Sequence, residues 1–236
     1  MPEQAESGIA VLYHDVWVNR PDYADSAPGG GVRFNSAILE QARALVGDRD
    51  DTVVYATLFG GNGHVVFGLV RHPRPFDVVL PEMPDLPLDD TAELVPHGYL
   101  DAAMHEHAAP YLWQMLALRQ AVPGRVLCLE TPPPYADDAY VRDHLGSYVP
   151  NPGNVVSAAL RLKLWRLHSR KLRLHCEASG VEFVPAPAEA IEPPGFMARE
   201  GYGPDATHGN AWYGERVLRQ IEASLGQPIG AVREFA

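Results

Sequence analysis

Four times along this chain a short run of β-branched and aromatic residues is followed by a longer stretch with helical periodicity. That alternation limits the fold more than any other feature. The apolar runs are "GIAVLYHDVWV" (8–18), "DTVVYATLF" (51–59), "GRVLCLE" (124–130) and "VEFVPAP" (181–187), and each reads as a strand. The helical stretches are "FNSAILEQARALVG" (34–47), the span from Leu100 to Ala121, "NVVSAALRLKLWRLHSRKLRLHCEASG" (154–180) and "NAWYGERVLRQIEASLG" (210–226). Strands separated by helices are joined by crossovers, so they pair in parallel and carry helices on both faces of the sheet. The expectation is an α/β protein, a three-layer sandwich with a mostly parallel central sheet.

Local signals sharpen the elements. Asn35 or Ser36 can cap the first helix and Gly47 can stop it. In the long helix Val156, Leu160, Leu164, Leu167, Leu174 and Ala178 recur at helical spacing, with Gly180 as C-cap. "DYADSAPGGG" (22–31) reads as a loop, "FDVVL" (76–80) as a short extended piece, and the prolines of "PEMPDLPLDD" (81–90) forbid regular helix there. "TPPPY" after the third run ends ladder pairing and shapes a pocket wall; it is too short for a polyproline ligand.

No Ser/Gly linker or charge block divides the 236 residues, so one domain spanning 1–236 is expected. At 46% hydrophobic residues the chain can bury a substantial core. Its formal net charge of −11 repels phosphate backbones and anionic lipid, which argues against nucleic-acid and membrane partners. Cys128 and Cys176 belong to no paired-thiol motif and are expected as buried free thiols. "MPEQAESGIAVLYHD" lacks the basic start and long apolar run of a secretory leader, and no window reaches membrane-spanning length. A cytoplasmic protein is the expectation.

Ligands of parallel sheets bind beyond the carboxyl ends of the strands. That rule puts "GGNGH", "TPPPY" and, through its loop, "DATHGN" on one rim, since each follows a strand in chain direction. Asp205 three residues before His208 can steer an imidazole into the role of general base, and Asn62 among glycines offers donors for a developing oxyanion. Alone, an Asp-x-x-His loop is also what a helix cap beside a chance histidine looks like, and "GGNG" is also a tight turn. Their shared rim gives them joint meaning.

On these blocks the chain resembles the SGNH, or GDSL-type, hydrolase superfamily over roughly residues 50 to 220: "DATH" is similar to its final Asp-x-x-His block and "FGGNG" to its Gly-x-Asn block. The resemblance implies a flavodoxin-like α/β fold and an ester hydrolase or acyltransferase. His208 would be the base, Asp205 its orienting carboxylate, and Asn62 with Gly60 and Gly61 the oxyanion donors. That family carries its serine in a Gly-Asp-Ser turn after the first strand, whereas here the strand ends in "YHDVW". The nearest equivalent is "ADS", which makes Ser26 the candidate nucleophile, with Ser36 a weaker second. The family's lone oxyanion glycine corresponds to Gly29, Gly30 or Gly31. No cofactor or metal is implied, and the substrate would be a small-molecule or glycan ester. The competing reading is a silent SGNH-like binding module that has lost its serine.

Other polar clusters carry less. His64 is a substrate contact or a helix-start residue. "HEH" at 105–107 places its histidines on different helix faces, against a metal pair. Arg161, Lys163, Arg166, Arg170, Lys171 and Arg173 read as a solvated helix face whose stems cover the core edge, or as a docking strip for a carboxylated or phosphorylated glycan or an acidic patch on a partner subunit.

Overall fold

The computed structural model describes residues 9–13, 24–27, 31–46, 53–145, 154–226 and 229–234. In chain order the elements are β1 (Ile9–Tyr13), β2 (Ala24–Ala27), β3 (Gly31–Phe34), α1 (Ser36–Val46), β4 (Val54–Thr57), α2 (Val65–Gly68), β5 (Phe76–Asp77), β6 (Glu93–Leu94), α3 (His97–Ala121), β7 (Arg125–Leu129), α4 (Asp138–Asp143), α5 (Ala158–Ser179), β8 (Glu182–Val184), β9 (Ile191–Glu192), β10 (Phe196–Met197), α6 (Ala211–Leu225) and β11 (Ile229–Glu234). Two short 3-10 turns, Ala188–Ala190 and Arg199–Gly201, flank β9 and β10.

Three of the four apolar runs pair into one parallel sheet of order β4-β7-β8, with Thr57 opposite Cys128 and Cys128 opposite Phe183. The protein is therefore α/β, and the segments after Thr57, Leu129 and Val184 leave the sheet at the same edge. The first apolar run departs from expectation: β1 pairs in parallel with β11 instead of joining the described three-stranded sheet. A strand edge offers unpaired backbone groups to whichever strand reaches it, and residues after the last helix supply one. Among the described residues β4 is one edge of this sheet, with β8 the other, and β4 is half-buried, not fully covered.

Residues 24–27, expected as loop, pair with β3 as an antiparallel hairpin, Ser26 opposite Val32. Backbone pairing overrides the weak strand preference of Asp25 and Ser26. In front of α1 the Asn35 side chain accepts the Ala37 N–H at 2.9 Å, so Asn35 is the cap and Ser36 the first helical residue.

One face of the sheet, through Val126 and Cys128, packs on Ala108, Leu112, Met115 and Leu118 of α3 and on Leu172 and Cys176 of α5. A second cluster joins Val78 and Leu80 to Leu160, Leu164 and Leu167. A third, containing Tyr135, Val141, Ala190, Met197, Ala206 and Tyr213, lies in the segments that follow β7 and β8. Both cysteines are free and buried, and no helix among the described residues is long and apolar enough to cross a membrane.

Helix α5 starts at Ala158, where Ser157 Oγ accepts the Leu160 N–H, and stops at Gly180 in the left-handed conformation, φ 68°. Its apolar stripe is carried by Leu160, Leu164 and Leu167, as expected, and continues through Leu172 and Cys176, while Leu174 and Ala178 face solvent. The basic strip is not a uniformly solvated face either. Lys163 is buried with its Nζ 2.8 Å from Asp77 Oδ1, and Arg161 is buried against Asp138 at 2.7 Å. Both partners come from distant segments, which helical periodicity cannot anticipate.

Candidate active site

The turn after β4 is built from its own backbone. Gly61 N–H donates to Leu58 O (3.0 Å), Gly63 N–H to Gly60 O (3.0 Å) and Val65 N–H to Asn62 O (2.9 Å), leading into α2. Gly60 holds φ +88°, a conformation that L side chains rarely adopt. Two donors from outside the turn converge on the Gly61 carbonyl: Thr131 Oγ1 at 2.5 Å and His168 Nε2 at 3.1 Å. Thr131 is itself held by Trp165 Nε1, which donates to its carbonyl at 2.9 Å. The C=O and N–H of a trans peptide point in opposite directions. Pinning the Gly61 carbonyl therefore turns the Asn62 N–H away from His168 and Thr131.

The loop between Tyr202 and Gly209, whose ends form an antiparallel bridge, holds the acid and the imidazole. Asp205 Oδ1 accepts the backbone N–H groups of Thr207 (2.8 Å) and His208 (2.9 Å), and Oδ2 lies 2.6 Å from His208 Nδ1. Asp205 does not cap the last helix. That is done by Asn210, whose Oδ1 accepts the Tyr213 N–H at 3.1 Å.

With its Nδ1 proton donated to Asp205, the imidazole presents a lone pair on Nε2, and Asn62 Nδ2 stands 3.2 Å from it. The same amide donates to Thr207 Oγ1 at 3.2 Å. Asn62 and His208 are 146 positions apart in sequence and meet at this point. Thr207 carries a hydroxyl in the cluster, but its nearest imidazole nitrogen is Nδ1, at 3.4 Å. Asp205 already occupies that nitrogen, so Thr207 is not placed as a nucleophile on the Nε2 side of the ring.

Burial alone would raise the Asp205 carboxyl. The N–H groups of Thr207 and His208, with the His208 ring, outweigh it and hold the group below the ordinary carboxylate range. The pair is open to solvent, the His208 side chain being 60% exposed. Behind the Asn62 turn lie two buried imidazoles, His64 and His168, with ring centroids 5.6 Å apart. Burial, then the neighbouring His168, pushes His64 well below its usual value, and burial lowers His168 to about 4.

His64 stands at the start of α2 with 5% exposure. It borders a small cleft that it shares with Pro132, Pro134, Arg161, Ala206 and Thr207.

Asn62, Gly60, Gly61, His64, Asp205 and His208 are brought to one rim, though the Gly61 N–H is spent on Leu58. Ser26 sits on β2, and Gly30, like Gly29, lies outside the described residues. His107 of the "HEH" triplet packs edge-on against Phe67, ring centroids 5.5 Å apart. Among the described residues no group of three or more His, Cys, Asp or Glu side chains could hold a metal ion.

Sequence reasoning missed Thr131, Tyr135, His168 and Thr207. Thr131 and Tyr135 stand inside "TPPPY", and Thr207 is the variable position of Asp-x-x-His; rim position alone could have drawn notice to them. His168 sits mid-helix with no such signal. No protein-family model matches the chain, and no curated protein matches it.

Proposed function

We propose that the chain is an SGNH-type ester hydrolase or acyltransferase in a three-layer α/β fold, acting on a small-molecule or glycan ester. In this reading His208 Nε2 removes the proton of an attacking hydroxyl while Asp205 holds the ring and stabilises its charged form. Asn62 Nδ2 donates to the oxyanion that develops on the carbonyl oxygen as the hydroxyl attacks the acyl carbon. When that intermediate collapses, the bond to the leaving alcohol breaks and the alcohol takes the proton from His208; water or a second alcohol then releases the acyl group by the same steps. The Asn62–His208 approach at 3.2 Å, combined with the 2.6 Å Asp205 contact, carries the proposal. The sheet order supports it as well, because the Asn turn follows β4 and the His loop comes after β8. Ser26 is the proposed nucleophile, and a cytoplasmic setting goes with the proposal.

Activation asks for a hydroxyl within about 3 Å of Nε2. The test is turnover of short aryl esters and acetylated sugars, with labelling by a fluorophosphonate. Turnover lost in His208→Ala and label mapped to Ser26 are the expected results. Turnover unchanged in His208→Ala refutes the mechanism.

The absence of a serine after "YHDVW" favours one second reading, a binding module that keeps the rim without acyl transfer. A folded protein that takes no fluorophosphonate label and turns over no ester selects it.

A further inference from the structure

The Asp205–His208 pair is internal to its loop and moves with it, whereas Asn62 belongs to a different turn. The Asn62 amide reaches across to Thr207 and His208, and a contact from outside both segments can hold the loop in place for it. The phenol of Tyr135 has the required connections. Its oxygen accepts the Gly203 N–H at 2.7 Å and donates to the His208 carbonyl, so one buried atom joins both ends of the segment from 203 to 208. Those ends are pressed together: a Cβ on Gly203 would lie 2.1 Å from the His208 carbonyl oxygen.

Tyr135 is itself anchored. Its ring is fully buried and stacked on Tyr202 at 3.9 Å, its carbonyl accepts Arg161 Nη2 at 2.9 Å, and it follows the central strand β7. Tyr140 adds a second tie, donating to the Gly203 carbonyl at 2.7 Å. Burial, more than the neighbouring charges, pushes the Tyr135 hydroxyl up to about 12, which keeps its proton in place for the His208 carbonyl at neutral pH.

We propose that Tyr135 is a positioning residue, whose hydroxyl holds the His208 loop so that the imidazole Nε2 faces the Asn62 amide. It touches no reacting atom. The inference takes the geometry of the rim from the functional proposal, yet it holds whether the rim performs acyl transfer or only binds.

The experiment uses the full chain with 15N-labelled histidine, comparing Tyr135→Phe with Val141→Ala, a truncation in the same cluster. Two readouts are taken: the His208 Nε2 resonance with and without Asn62→Ala, and kcat against KM on an aryl ester. In Tyr135→Phe the resonance should move to the value it has in Asn62→Ala, and adding Asn62→Ala should move it no further. Turnover should fall about 10- to 100-fold with KM within about threefold, the effect of a misplacement of about 1 Å. Val141→Ala should leave both readouts alone. Gly203→Ala, which forces the same ends apart, is the second variant and should shift the resonance in the same direction.

The proposal is overturned if both variants keep the wild-type resonance and its response to Asn62→Ala. It is equally overturned if Val141→Ala reproduces the change at equal loss of stability. A wild-type protein without turnover refutes the esterase and leaves the resonance test standing.

Discussion

Replacing Lys163 by Met removes one half of an ion pair in which Lys163 is 1% and Asp77 0% exposed by side chain. The Nζ–Oδ1 separation is 2.8 Å, which at an effective dielectric near 20 gives a gross attraction of about 6 kcal/mol. Desolvation of both ions offsets much of that, so the pair as a whole contributes little. Breaking it is another matter. The Asp77 carboxylate would keep the N–H groups of Val78 (2.7 Å) and Asp89 (2.9 Å) but lose its counter-charge without regaining water.

Such one-sided removal costs about 3–5 kcal/mol, a large share of a domain's total of about 5–15 kcal/mol. With a urea slope of about 2–3 kcal/mol/M the midpoint should fall by roughly 1–2.5 M. Lys163→Met with Asp77→Asn removes both charges and should recover at least about 1 kcal/mol relative to the sum of the single variants. Glu182→Gln is the contrast. Its pair with Arg125 is 47% and 43% exposed, and the change should cost under about 1 kcal/mol. Equilibrium urea unfolding followed by far-UV circular dichroism measures all four. A loss below about 1 kcal/mol for Lys163→Met, or strict additivity with Asp77→Asn, refutes the reasoning.

Three further outcomes follow from the site. Asn62→Ala should lower kcat about 10²- to 10³-fold with the circular dichroism spectrum unchanged, the usual loss for one oxyanion donor; kcat within threefold of wild type would remove Asn62 from that role. Asp205→Asn keeps the shape but offers an amide to Nδ1, favouring the wrong tautomer, and should cost up to about 10⁴-fold in kcat, read in the same ester assay. On the acid side, His168 titrates near 4 in the folded protein against about 6.5 for a free imidazole. The unfolded chain therefore binds that proton first, and its stabilising effect, complete above about 6.5, is lost as pH falls toward 4, by about 3 kcal/mol in all. Urea midpoints at pH 7, 6 and 5 should show this slope, flattened in His168→Gln, with His64 retaining a contribution of the same sign.

Much of the fold was legible in the residues. Val54–Thr57, Arg125–Leu129 and Glu182–Val184 lie inside three of the expected strands, and the helices between them make the pairing parallel. The stop at Gly180 follows from local chemistry, and of the two residues that could cap the first helix, Asn35 does so. The Asp205–His208 contact was equally accessible, because a carboxylate and an imidazole three positions apart in a turn need no distant partner. The hairpin at 24–27 and the β1–β11 pair were not, since backbone pairing there outweighs side-chain preference.

The sequence by itself determined elements whose causes lie within a few neighbouring residues: capping atoms, turn glycines, the period of apolar side chains and the Asp-x-x-His turn. Only the tertiary structure decided which distant groups meet. It buried Lys163 on Asp77, placed Thr131 and His168 on the Gly61 carbonyl, set Tyr135 under the His208 loop and brought Asn62 to the imidazole. Those contacts join groups 70 or more positions apart. Periodicity records which face of an element is apolar and carries no record of what packs against it, so the choice falls to the packing of the whole chain.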